Sequence, residues 1–126
     1  MVRYICYEWQ GRPKDAHDAA RRDRAAPVPP LLIQEWQHKP GQLRAGAHED
    51  VGSALAWLRV RVAHHLPTLL PGHREAHPGW DAQARYAHHV LTCSGAYLWG
   101  RYSRDLSLIE LAVITDPYRG PVYRLL

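Results

Sequence analysis

The sequence contains no phenylalanine, one methionine and only two lysines among its sixteen basic residues. Its aromatic residues are five tryptophans and seven tyrosines, whose N–H and O–H groups need a partner or water when buried. No apolar stretch approaches the roughly 20 residues that a membrane-spanning helix needs. We therefore expect no membrane partner. A length of 126 residues with 46% hydrophobic composition suits one domain, 1–126, with one core.

Cysteine is scarce as well. Cys6 and Cys93 are far apart in the chain and form no Cys-x-x-Cys pair. Small secreted domains that rely on disulfides usually carry more cysteines, in a recognisable spacing. Residues 1–20 contain no apolar segment typical of a secretory signal peptide. These absences predict a cytoplasmic protein with two reduced thiols.

The sequence motifs of familiar enzyme classes are missing too. There is no Gly-x-Ser-x-Gly, no P-loop, no Gly-x-Gly-x-x-Gly and no His-Glu-x-x-His pattern. The sequence therefore lacks the signatures of serine hydrolases of the Gly-x-Ser-x-Gly type, of P-loop and dinucleotide-binding folds, and of zinc proteases of the His-Glu-x-x-His type. No cofactor is predicted.

The positive charge of the chain favours an anionic partner. The formal net charge is +4 and the pI is about 9.3, as in many nucleic-acid-binding domains. Subtracting the two lysines from the sixteen basic residues leaves fourteen arginines. Together with abundant Ala, Gly and Pro, this arginine bias is typical of a high-GC bacterial genome, so part of the basic character reflects coding. Arginine is still a better hydrogen-bond donor than lysine to phosphate and carboxylate groups.

The stretch Leu106–Thr115 predicts the central strand of a sheet. Its apolar residues fall on both faces, with Leu108 and Ile114 on one and Leu111 and Val113 on the other. A strand of this kind is normally buried on both sides. The preceding stretch Ala96–Ser103 predicts its hairpin partner, with the turn at residues 103–105.

Two helices are expected on one face of this sheet. The first covers His48–Leu66, because apolar residues recur there at helical spacing. Its predicted core stripe is Val51, Leu55, Leu58, Val62 and Leu66. The second covers Asp81–Ser94 and ends at Gly95, a residue that favours the left-handed stop conformation. Its predicted core face is Ala82, Tyr86, Val90 and Cys93.

Val2–Trp9 and Leu31–Gln37 predict two further strands, because both are rich in β-branched, aromatic or leucine residues. Both end in Glu-Trp-Gln, either by coincidence or because the strands lie side by side. Residues 13–30 are expected to be exposed or mobile, with a short helix or a loop over 15–26. Lys39–Gly46 is predicted to be a loop.

The expected fold is therefore a single α+β domain. It combines a mostly antiparallel sheet of about four to five strands with two main helices packed on one face. Pro121–Leu126 can add a short edge strand, where proline is tolerated.

Trp57, Arg61 and His64 fall opposite the predicted core stripe of the first helix. A cationic and aromatic face of this kind can stack on bases or contact a protein partner. The alternative is that other segments cover Trp57.

A second candidate surface lies on the strand Ala96–Ser103. Tyr97, Trp99 and Arg101 share one face of it, with Tyr102 on the other. Alternating aromatic and arginine side chains serve single-stranded nucleic-acid platforms, and they equally serve cross-strand packing.

Metal binding has weak candidates only. His89 and Cys93 lie four residues apart on the second helix, so their side chains point the same way. Zinc needs three or four such ligands, and His64 or His65 would have to supply the third. The alternative is that Cys93 is a small core residue, as free cysteines often are. The prediction is therefore no metal site.

For catalysis, Glu8 and Glu35 become paired carboxylates only if the first two strands are neighbours. The favoured interpretation is that both lie on a solvated face. A metal-free nuclease needs a base, a cation and an acid, and Glu, Arg and His supply these types without a linking spacing. The leading prediction is thus a small cytoplasmic nucleic-acid-binding protein. The alternatives are a His/Glu/Arg enzyme, such as a nuclease-like toxin or a His/Cys metal enzyme, and a protein-interaction adaptor or homodimer.

Overall fold

The computed structural model describes residues 2–121. The strands are β1 (Arg3–Gly11), β2 (Arg44–His48), β3 (Ala96–Tyr102) and β4 (Leu108–Asp116). The α-helices are α1 (Asp18–Arg22), α2 (Val51–His65), α3 (Pro71–Glu75) and α4 (Trp80–Ser94). Short 3-10 helices cover Pro13–Ala16, Ile33–His38, Gly41–Leu43 and Leu66–Thr68. Within this part of the chain, every helix is too short or too polar to cross a membrane.

The four strands form one antiparallel sheet in the order β2-β1-β4-β3. α2 and α4 pack on one face, as the α+β prediction required. The 3-10 helices Ile33–His38 and Gly41–Leu43 cover part of the opposite face. The sheet therefore has an apolar core on each side, and the interior strands β1 and β4 contribute to both.

The central position of β4 is confirmed. Ile109, Leu111 and Val113 are buried beneath the helices, while Ala112 and Ile114 are buried on the opposite face. The strand starts two residues later than predicted. Leu106 lies in the hairpin turn with a φ of 65° and is 63% exposed.

Helix α2 follows the predicted stripe. Asp50 caps its N-terminus by accepting a hydrogen bond from Ser53 N at 2.7 Å. Leu58 and Val62 are fully buried. The other predicted stripe residues are partly buried against the same core, namely Val51, Leu55 and Leu66.

Helix α4 turns a different face inward than predicted. Its buried residues are Gln83, Ala87 and Leu91, whereas the predicted Tyr86 is 62% exposed and Cys93 is exposed. Both sets repeat at helical spacing, so the sequence period did not distinguish them. The small Ala87 lets the helix approach the sheet, and the Gln83 amide finds a partner in the Tyr97 hydroxyl at 3.2 Å. The predicted stop at Gly95 is confirmed, with a φ of 81°.

The predicted strand Leu31–Gln37 is wrong. Ile33–His38 is a 3-10 helix whose Ile33 and Trp36 side chains are buried on the sheet, and the Trp36 ring lies 5.2 Å from the Tyr7 ring. Tertiary packing of these apolar side chains overrides the extended preference that their types suggest.

The edge strand is β2 instead. It begins inside Lys39–Gly46, which was predicted to be a loop, and extends to His48, which was predicted to begin the first helix. Its residues have little strand preference, but they pair with β1 through Tyr4–His48 and Ile5–Ala47. The matched Glu-Trp-Gln segments therefore do not mark neighbouring strands.

The segment 13–30 divides into two parts. Residues 13–26 are exposed or half-buried, while Val28, Pro29 and Pro30 are buried. Lys39 ties the exposed part to the fold, because its Nζ donates to the carbonyls of Ala20, Asp23 and Ala26. Residues 122–126, most of the possible edge strand, lie outside the described part.

Candidate ligand site

The predicted surface on α2 is not open. Arg61 folds onto β1 and donates from Nε to Glu8 Oε1 at 2.6 Å and from Nη2 to Oε2 at 2.7 Å. Trp57 is half-buried and packs against the core beneath the helices. His64 is exposed, with its ring 5.0 Å from that of His65. The structure thus brings Arg61 to Glu8 rather than into a free surface with Trp57 and His64.

Glu8, Arg61 and His65 form a closed ion network. The His65 ring lies with Nε2 3.0 Å from Glu8 Oε2, and only 3% of the residue is exposed. Burial by itself raises the pKa of Glu8, but the hydrogen bonds from Arg61 and His65 outweigh it and hold that pKa below its ordinary value. Base, cation and imidazole are therefore together in space, yet they satisfy one another. Their evident role is to fasten α2 to β1.

Glu8 and Glu35 are not a pair. Glu35 lies on the 3-10 helix Ile33–His38 and binds Arg24 through both oxygens, at 3.0 and 3.1 Å. Each carboxylate has its own arginine, and the condition for pairing the two carboxylates, two neighbouring strands, is not met. The cause is that the second Glu-Trp-Gln segment is not a strand.

The predicted platform on β3 is largely buried. Tyr97 and Trp99 are 5% and 3% exposed and belong to the core beneath the helices. The Arg101 guanidinium lies over Trp99, 5.1 Å from the ring centroid. Cross-strand and helix packing is the role that the structure gives these rings, because neither has a free face for a base.

His89 and Cys93 lie at the surface of α4. Cys93 Sγ is 3.7 Å from Nε2 and 3.8 Å from Nδ1 of His89, and both residues are exposed. In the part of the chain that the structure describes, no three His, Cys, Asp or Glu residues converge as a metal site would require.

A partly open cavity of about 360 Å³ lies on the sheet face opposite the helices. It opens where the 3-10 helices Ile33–His38 and Gly41–Leu43 leave that face uncovered, between β3, β4, α3 and the segment 13–30. We call it the Glu110 cavity; its main lining residues are Arg21, Pro29, His73, Gly100, Tyr102 and Glu110.

Glu110 is the unusual residue of this cavity. It lies in the middle of β4, between Trp9 of β1 and Gly100 of β3. It is half-buried, and within residues 2–121 its side chain has neither a hydrogen bond nor an ion pair. Burial raises the pKa of Glu110 above its ordinary value, and the charge of Arg21 offsets only part of that rise. Because its oxygens accept no hydrogen bond within the described residues, the Glu110 carboxylate can accept hydrogen bonds from a ligand.

His73 and Arg21 supply hydrogen-bond donors at the same cavity. Tyr102 N donates to His73 Nδ1 at 2.9 Å, so the neutral imidazole carries its proton on Nε2. Arg21 donates from Nε to Pro29 O at 3.3 Å and from Nη2 to Pro30 O at 3.0 Å. Neither of these two bonds uses the Nη1 group, so the guanidinium has further N–H bonds besides them at the cavity wall.

The walls that carry these donors are held in place. Lys39 Nζ donates hydrogen bonds to the carbonyl oxygens of Ala20 and Asp23 at the end of α1, next to Arg21, and burial lowers the pKa of Lys39. On the other side, Leu70 N donates to Tyr102 O at 3.0 Å and fixes the start of α3 to β3. Arg21 and His73 are thus positioned by backbone contacts rather than by each other.

Another cavity, of about 260 Å³, lies near the β1–β2 edge and is lined by Tyr7, Lys39, Arg44 and Asp116. Most of its charged groups are already engaged. Asp116 accepts from Arg3 at 3.1 Å, and Lys39 binds three carbonyl groups. It therefore offers less free chemistry than the Glu110 cavity.

The sequence analysis missed Glu110 and grouped its strand by apolar residues alone. The available signal was one carboxylate in a strand that is otherwise apolar on both faces. His73 and Arg21 carried no comparable signal, because they reach the cavity from the short helix α3 and from the exposed segment 13–30.

Comparison of the chain with protein-family models, with curated proteins and with solved structures finds no significant match.

Proposed function

We propose that the protein binds a small polar molecule in the Glu110 cavity, with Glu110 accepting hydrogen bonds from it. The observation that supports this proposal is the half-buried Glu110 carboxylate, which has neither a hydrogen bond nor an ion pair within residues 2–121. The cavity volume of about 360 Å³ lies near the lower end of the roughly 300–1,000 Å³ of small-molecule sites. A compact ligand follows from that volume.

Stability alone does not account for Glu110. A carboxylate in a half-buried position without a partner destabilises the fold, whereas a neutral side chain there would not. Residues that reduce stability in this way are concentrated at functional sites. We keep the cytoplasm as the proposed location, since Cys6 and Cys93 are both free thiols.

Acid–base catalysis is the second candidate function. The raised pKa of Glu110 suits a general base, and His73 offers an N–H donor at the same cavity. This is the predicted His/Glu/Arg enzyme class with different residues. Nucleic-acid binding through the α2 and β3 surfaces receives no support from side chains that are buried or paired.

Filling the cavity tests the proposal. A Cβ at Gly100 meets no atom within 4 Å, and Gly100 lies beside Glu110, so Gly100→Leu should fold and occupy the site. Gly41→Leu is the matched control, because a Cβ there is also unobstructed. The probes are 2-aminopyridine, cytosine and uracil. Their binding is measured by NMR from changes in the amide chemical shifts of the protein.

At least one probe should shift the amides of Glu110 and Gly100 in the parent and in Gly41→Leu, but not in Gly100→Leu. Probes that leave these amides unchanged in the parent, or that bind Gly100→Leu equally well, would contradict the proposal. A probe that is chemically altered only while Glu110 is intact would favour the enzyme over the binding protein.

A further inference from the structure

We propose that the Glu110 cavity recognises a guanine base, either as a nucleoside or within an RNA strand. This inference rests on the proposed function, because it names the ligand class of the same cavity. It returns to nucleic-acid chemistry, but at residues and on a sheet face that the sequence did not indicate.

The charges at the cavity favour a neutral ligand. A cationic group that approaches Glu110 also meets the Arg21 guanidinium, whose charge is close enough to affect the Glu110 carboxyl. An anionic group that approaches Arg21 meets the Glu110 carboxylate. A neutral molecule with both donors and acceptors avoids both repulsions and satisfies both groups.

Guanine carries the matching hydrogen-bond groups. Its adjacent N1–H and N2–H donors form a parallel pair, which suits the two oxygens of the Glu110 carboxylate. Its O6 and N7 acceptors are the atoms that arginine N–H groups commonly bind, and Arg21 Nη1 and His73 Nε2 supply such donors. Adenine and uracil lack the adjacent pair of donors, so neither satisfies the carboxylate equally well.

The walls of the cavity suit a flat ring. Tyr102 is 38% exposed and presents an aromatic side chain, and Pro13, Pro29 and Leu108 add apolar surface. Stacking on an aromatic ring contributes roughly 1–3 kcal/mol per base. Gly100 has no side chain beside Glu110, so a planar ligand can approach the sheet backbone there.

The test compares guanosine with inosine, which lacks only the N2 amino group, and with adenosine, by isothermal titration calorimetry. Loss of one hydrogen bond to a carboxylate costs about 1.5–3 kcal/mol, so guanosine should bind at least tenfold more tightly than inosine. Glu110→Gln should remove this preference. The exposed Glu49→Gln is the matched control and should retain it.

The trinucleotide ApGpA, with ApApA as its control, distinguishes a guanine that is bound as a free nucleoside from a guanine that is bound within an RNA strand. Affinity of ApGpA within threefold of guanosine indicates a nucleoside site, and affinity tenfold higher indicates a strand. Equal binding of guanosine, inosine and adenosine, or no binding of guanosine and ApGpA, overturns the guanine assignment. If the small probes still bind and Gly100→Leu still blocks them, the proposed function stands without it.

Discussion

Glu8 and Glu110 lie on adjacent central strands and face opposite sides of the sheet. In the β1–β4 register, Glu8 pairs with Leu111 and Glu110 pairs with Trp9, so the two carboxylates are close in the ladder but separated by the sheet. Glu8 meets Arg61 and His65 within 3.0 Å. Glu110 meets no donor among residues 2–121.

The difference shows that surroundings, not residue type, decide what a carboxylate does. Helix α2 brings Arg61 and His65 over Glu8. The pKa of Glu8 is lowered because both residues hydrogen-bond the ionised carboxylate. On the other face, no residue within 2–121 hydrogen-bonds the Glu110 carboxylate, and the pKa of Glu110 rises because the charge of Arg21 offsets only part of the effect of burial. The first arrangement stabilises the fold, and the second leaves a group for a ligand.

The comparison of Glu8 with Glu110 depends first on the central strand β4, which carries Glu110 and pairs with the strand that carries Glu8. Leu111→Ala should lower the free energy of unfolding by about 2–5 kcal/mol, because the side chain is 1% exposed in the core. Urea denaturation measures the change. A loss well below 1 kcal/mol would mean that β4 is not a central strand.

Breaking the ion network should have the next largest effect. Arg61→Ala leaves Glu8 half-buried with His65 alone and should cost about 1–3 kcal/mol in thermal or urea unfolding. Trp57→Ala/Arg61→Ala should cost more, because Trp57 packs against the core. Arg85→Ala, on an exposed part of α4, is the control and should change little. An unchanged stability of Arg61→Ala would contradict the network.

The stability of the network should also depend on pH. Because the pKa of Glu8 is lowered in the folded state, its contribution is present above the ordinary value of 4.5 and is lost as the pH falls through the folded value. Unfolding free energies of the parent between pH 7 and pH 3 should therefore fall more steeply than those of Glu8→Gln. Parallel curves would mean that Glu8 is not specially stabilised.

Glu110 should respond in the opposite sense. Its pKa is raised in the folded state, so its ionisation reduces stability as the pH rises above the ordinary value of 4.5. Glu110→Gln should gain about 0.5–1 kcal/mol at pH 7 and lose that advantage at pH 4. Thermal unfolding at both pH values measures this. A destabilised Glu110→Gln at pH 7 would show that the carboxylate has a structural partner.

The two cysteines are a second pair of identical residues in different surroundings. The prediction for them concerns thiol reactivity and not stability. Burial raises the pKa of Cys6 to about 12, whereas Cys93 is exposed. A thiol reagent at pH 8 should modify Cys93 rapidly and Cys6 only on unfolding, as mass spectrometry can follow. A Cys6–Cys93 disulfide in protein purified without oxidant would contradict both this result and the proposed cytoplasmic location.

Sequence periodicity identified the main elements but not how every face is used. The burial of Leu58 and Val62 was predicted correctly, because the apolar residues of α2 form one continuous stripe on a single face of the helix. On α4, the apolar residues allowed two adjacent faces, and the choice depended on how closely Ala87 approaches the sheet. Leu31–Gln37 has strand composition, yet it forms a 3-10 helix because Trp36 packs on Tyr7.

The candidate site was less predictable than the fold. Arg61 was identified from its helix position, but only the approach of α2 to β1 revealed that Glu8 neutralises it. Trp99 was identified from strand alternation, which is equally regular for buried and for exposed faces.

The sequence by itself determined the α+β class, the central place of β4 and the end of α4 at Gly95. These follow from local apolar period and backbone preference, which neighbouring residues encode. The tertiary structure decided which charges are satisfied, because Glu8 and Arg61 are 53 residues apart and Arg21, His73 and Glu110 come from three separate segments. Electrostatic environment depends on such long-range contacts, and no local pattern in the chain specifies them.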